Sequence, residues 1–156
     1  MIGHHLDEEI ARLDLVIVQL ADSMVANKAR RTFLNERLEI LESTVLELER
    51  IVDYASRQQE KIRDAHAPIP HRDFYGNRRR KVEGHLNSAG GSLFHRYQIH
   101  ESRLERVRGR ISTLSAERNQ LNNVIIPRQV TDLENYEAER IRLRIERSTT
   151  APLLGP

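Results

Sequence analysis

Seven histidines, four tyrosines and no cysteine bound the chemistry open to this 156-residue chain. The absence of Cys removes thiolate nucleophiles, disulfides and Cys-based zinc sites. His95 and His100 stand five residues apart and would point about 140° away from each other on a helix. His66 and His71 flank a proline-containing segment. No histidine pair has the i, i+4 spacing of helical zinc ligands, so no metal site is expected. The sharpest charge cluster, Arg78-Arg79-Arg80-Lys81, has the charge to grip phosphates but lacks interleaved aromatics and any groove-reading motif. It reads as a solvated or partner-facing helix face, which disfavours nucleic acid as a partner. A nucleophile, base and oxyanion donors would need a concave pocket, which a helical rod does not provide. The expectation is therefore a non-enzyme, with no catalytic residue, cofactor or metal.

The elements that carry these residues are written in a 4, 3 repeat. One set of positions, seven apart, runs Leu6, Leu13, Leu20, Asn27, Leu34, Leu41, Leu48, Ala55, Ile62; the other runs Ile10, Ile17, Met24, Arg31, Leu38, Val45, Val52, Gln59. A 3.5-residue apolar repeat sustained over roughly eight heptads calls for a left-handed coiled coil. A second seam follows the same spacing: Leu93, Tyr97, His100, Leu104, Val107, Ile111, Leu114, Arg118, Leu121, Ile125. Between the two lies Ala67-Pro68-Ile69-Pro70, which cannot continue a helix. The expected fold is all-α: an elongated antiparallel two-helix coiled-coil hairpin, kinked at Pro127 where a backbone donor is missing.

The boundaries follow from composition. Helix 1 is expected over about 5–64, a turn over 65–73, and helix 2 over about 74–147, with weak points at the glycine pair 90–91 and at 127. Together these make one hairpin domain, and residues 148–156 read as a flexible tail. Composition agrees with an extended helical protein, at 38% hydrophobic and 31% charged residues. Residues 1–64 hold nine Lys/Arg against thirteen Asp/Glu, a net −4; the remainder holds sixteen against ten, a net +6. An acidic helix followed by a basic one favours pairing with itself. No apolar run approaches the roughly 20 residues of a membrane span, and the first residues lack the regions of a cleaved signal. Synthesis as a soluble cytosolic protein is expected.

Two features point to association. Asn27 and Arg31 are polar seam positions one turn apart, a device that sets register at a cost in stability; the competing reading is a hydrated, loosened stretch. With the turn centred near residue 69, Leu6 would face about residue 132. The segment after Pro127 would then overhang, and its apolar residues Leu133, Tyr136, Ile141 and Ile145 become the expected partner-binding surface.

At the expected hairpin tip stands Phe74-Tyr75-Gly76, an aromatic, a spacer and a glycine just before a second helix. With the long N-terminal seam, the proline turn and the Arg/Glu-rich second helix, the chain resembles the WXG-type helical hairpins of type VII secretion, and most closely the YwqH-like small companions of LXG-domain toxins. Phe74 stands where that family usually has Trp. Tyr97 and Glu101 match the spacing of its secretion signal, a Tyr followed four residues later by an acid. The resemblance implies a chaperone or targeting factor that binds the helical N-terminal domain of a larger toxin; a second small helical protein is a further candidate partner, and both retention in the cytosol and co-secretion with the toxin stay open. Two other classes compete: a self-assembling coiled-coil adaptor that closes its overhang as a homodimer, and a nucleic-acid-binding helical protein.

Overall fold

Apolar residues every three or four positions, with few breakers outside the proline segment, leave little alternative to helix. In a computed structural model, residues 2–66 and 76–150 are described, and among them every element is helical and none is a strand. Helix α1 spans Ile2–His66 and α2 spans Gly76–Gln120. A π-helical turn, Leu121–Ile125, leads into α3, Ile126–Thr150. Helix α1 begins earlier than the acidic cluster suggested, α2 passes through Gly90-Gly91 without interruption, and α3 continues to Thr150, inside the expected tail.

The chain divides into two compact units, Met1–Glu36 with Leu114–Pro156, and Arg37–Thr113. In the first, partners run in opposite directions along the two strands: Asp7 pairs with Arg147, Asp14 with Arg140, Asn27 with Gln129 and Arg30 with Glu117. In the second, Arg108 pairs with Glu49, and Ile62 sits over Gly90, where a side-chain methyl would lie 3.6 Å from its Cγ2. Both units are thus hairpin-like. Every buried residue of α1 lies on the seam read from the sequence: Leu13, Ile17, Met24 and Leu34 in the first unit, Leu38 and Ala55 in the second.

This register corrects the expected overhang. Asp7 holds Arg147 at 2.6 Å, so the segment from Leu133 to Ile145 lies along the start of α1 and does not project beyond it. The prolines alone had placed the turn near residue 69. The seam sets the register, and with Ile62 against Gly90 and Glu49 against Arg108 its centre falls several residues later.

The π turn shifts the seam by one residue just before Pro127. In a regular α-helix the ring of Pro127 would clash with the carbonyl of Asn123, four residues back. A wider turn relieves that contact, and the backbone N–H of Ile126 donates to the carbonyl of Leu121, five residues back. One extra residue is absorbed. The seam therefore steps from buried Leu121 to buried Ile126, leaving the expected seam residue Ile125 only half-buried, and runs on to buried Leu143.

Candidate partner-binding surfaces

Helix α1 is apolar on two faces within the first unit. Leu13, Ile17 and Met24 are buried, whereas Leu15, Val18 and Val25 are 59%, 56% and 68% exposed. At about 100° per residue, the centres of the two sets lie about 130° apart around the helix. Exposed Ala11 and Ala29 extend the outer line. A helix apolar on two sides has one seam satisfied within the chain and one left open. The sequence reading followed only the longer seam. The signal for the other was present in the 3 and 7 spacing of Leu15, Val18 and Val25.

Helix α3 places its four expected interface residues unequally. Ile141 and Ile145 are 55% and 59% exposed and Tyr136 is marginally so, while Leu133 is half-buried. Leu143, between the first two, is 5% exposed and faces inward. Beside it Arg140 donates to Asp14 at 2.9 Å, and Arg144 reaches the same carboxylate at 3.4 Å. The Arg140 hydrogen bond, with both guanidinium charges nearby, holds the Asp14 carboxyl below its usual range despite partial desolvation.

The polar seam residues meet polar partners. Asn27 Nδ2 donates to Gln129 Oε1 at 3.0 Å, and Gln129 Nε2 donates to Ser23 Oγ at 2.9 Å. Arg31 Nη1 donates to Asn122 Oδ1, within the π turn, at 3.4 Å. Next to them Arg30 forks onto Glu117 at 2.7 and 3.1 Å and lies 5.3 Å from the centre of the Phe33 ring. This layer lies directly opposite the widened turn.

Of the other candidates, Tyr97 donates its hydroxyl to Glu101 at 3.3 Å; the Glu101 charge, with partial desolvation, raises the phenol above its ordinary value. Phe74 and Tyr75 lie outside the described residues, and Gly76 is the first residue of α2. His100, a seam position, has a buried Nδ1 without a hydrogen-bond partner. Among the described residues no group of three His, Cys, Asp or Glu is placed to hold a metal, and no helix is long and apolar enough to cross a membrane. An open groove of about 620 Å³ in the second unit is lined in part by Ile62, Leu86, Gly90 and Phe94. No family model, curated protein or solved structure matches the chain. The functional reading rests on these surfaces.

Proposed function

We propose that the chain is a non-catalytic helical companion: an antiparallel coiled-coil hairpin, bent near Pro127, that binds alongside a helical domain of a larger protein. Following the resemblance to type VII secretion hairpins, the partner is the helical N-terminal domain of an LXG-type toxin. The chain then acts as its targeting factor or chaperone in the cytosol and leaves with it. The observation that carries this reading is the open apolar line Leu15, Val18, Val25, about 130° around α1 from its filled seam. Ile141 and Ile145 on α3 add a second exposed apolar pair in the same unit. Burying such lines against an apolar helix face is favourable by about 25 cal/mol per Å² of area removed from water.

The polar layer of Asn27, Gln129 and Ser23 supports a register-setting role for Asn27 and Arg31. Each loses solvent only if its partner arrives at the right height, so a slipped pairing leaves a polar group unsatisfied. Co-expression with the toxin encoded beside it is the test. A stoichiometric complex is expected, and Val18→Lys/Val25→Lys, at exposed positions of α1 one turn from Asp14 and Asp22, should abolish it while leaving helicity and melting temperature unchanged. A stable monomer indifferent to the toxin would refute the reading. A defined homodimer by light scattering, disrupted by the same pair of substitutions, would replace it with the self-assembling adaptor.

A further inference from the structure

Helix α2 carries a face on which charges of one sign are assembled. Lys81, His85, Arg96, Arg103, Arg106 and Arg110 are all exposed, and at 100° per residue they fall within about 80° of arc. The face runs for about 44 Å along one helix of the second unit. Exposed Ser88 and Ser92 fill the gap between His85 and Arg96. The acids of this stretch, Glu83, Glu101 and Glu105, project from the opposite side.

Several arginines elsewhere sit against carboxylates, as Arg30, Arg108, Arg140 and Arg147 do, although Arg31 and Arg118 meet asparagines instead. The four on this face have no acidic partner among the described residues. Nor can one be supplied locally, since every neighbour three or four positions from Arg96, Arg103, Arg106 and Arg110 is neutral or basic. Arg103 and Arg106, and then Arg106 and Arg110, are like charges one turn apart, an arrangement that disfavours the helix unless an external anion neutralises it.

We infer that this face binds the phosphate backbone of duplex nucleic acid without regard to sequence. Guanidinium groups match phosphate oxygens in paired hydrogen bonds, and serine hydroxyls commonly contact the same backbone. Ile99 is the one large apolar side chain on the face, so it lacks the apolar centre of a protein interface and the Leu, Phe or Trp ridge of a membrane-surface helix. Phe94 and Tyr97 point elsewhere around α2, which removes the stacking platform of a single-strand binder. This surface is separate from the open apolar line of α1, and its occupation does not depend on the toxin-companion reading.

The test is fluorescence anisotropy of the full chain with a labelled duplex of mixed sequence, titrated at several salt concentrations. Phosphate contacts from Lys81 and the four arginines give a slope of log affinity on log salt of about −4.5, a loss of about 500-fold between 50 and 200 mM. Arg103→Gln/Arg106→Gln/Arg110→Gln should bring the slope to about −1.8, with unchanged circular dichroism because all three side chains are exposed. Arg12→Gln/Arg57→Gln/Arg142→Gln, which removes the same charge from arginines paired within their own helices, should leave it near −4.5. Three results would overturn the inference: no binding at 50 mM salt, equal weakening by the two triple variants, or competition by poly-glutamate of matched charge as strong as that by unlabelled duplex.

Discussion

Deleting a single residue from a heptad seam ordinarily rotates everything beyond it by about 100° and removes it from the interface. The π turn predicts one place where this does not happen. Leu121 and Ile126 both face inward because the turn between them holds one residue more than an α-helical turn. Asn123 is exposed and accounts for none of the side-chain hydrogen bonds of the turn, where Arg31 uses Asn122. Pro127→Ala removes the ring that an ordinary α-helical turn would press against the carbonyl four residues back; in that background, a chain without Asn123 can pass from Leu121 to the residues of α3 at ordinary spacing, keeping Ile126 and Leu143 inward and Arg140 and Arg147 beside Asp14 and Asp7. Deleting Asn135, downstream of the turn, offers no such relief. It carries Leu143 off the seam, at about 2–4 kcal/mol from lost burial and an unfilled site, before any loss of surface ion pairs is counted. For a chain of this size 1 kcal/mol corresponds to about 2–4 °C, so the Asn135 deletion should melt about 4–16 °C lower. The Asn123 deletion combined with Pro127→Ala should melt no more than about 2 °C below the parent, read from ellipticity at 222 nm. Equal destabilisation by the two would show that the turn does not absorb the extra residue, and the account of how α3 regains the seam would be wrong.

Two further outcomes follow from burial and charge. Leu34 is fully buried, so Leu34→Ala should lower stability by about 2–5 kcal/mol in urea titration, whereas Val25→Ala, on the open line, should change it by no more than about 0.5 kcal/mol. Because Arg140 and Arg144 lower the Asp14 pKa in the folded chain, the contribution of Asp14 is present above the ordinary aspartate range and is lost as pH falls through its folded value. Melting followed from pH 6 to pH 2 should show a steeper acid loss in the parent than in Asp14→Asn, and identical profiles would remove that carboxylate from the account.

Sequence alone determined the class of the fold and the inward residues of α1. Leu13, Ile17, Met24, Leu34, Leu38 and Ala55 were all legible because a 3.5-residue apolar repeat states which side of a helix leaves water, whatever covers it. The second strand was legible as far as Leu121 for the same reason. The next seam position was misplaced at Ile125 where Ile126 is buried, since the effect of Pro127 is felt in the backbone several residues earlier and a one-residue widening does not show in a pattern of side chains.

Three things were decided by tertiary structure. The antiparallel register is read from contacts such as Ile62 over Gly90 and the surface ion pair of Asp7 with Arg147, because a proline turn marks where a helix stops and says little about which residues then meet. That register turned Leu143 from part of an exposed overhang into buried core. It left Leu15, Val18 and Val25 as the open apolar line, which a search for the longest repeat passes over. It also separated the arginines that find a carboxylate across the hairpin from those on α2 that do not. Ion pairing depends on distances between strands, and a one-dimensional pattern contains none of them.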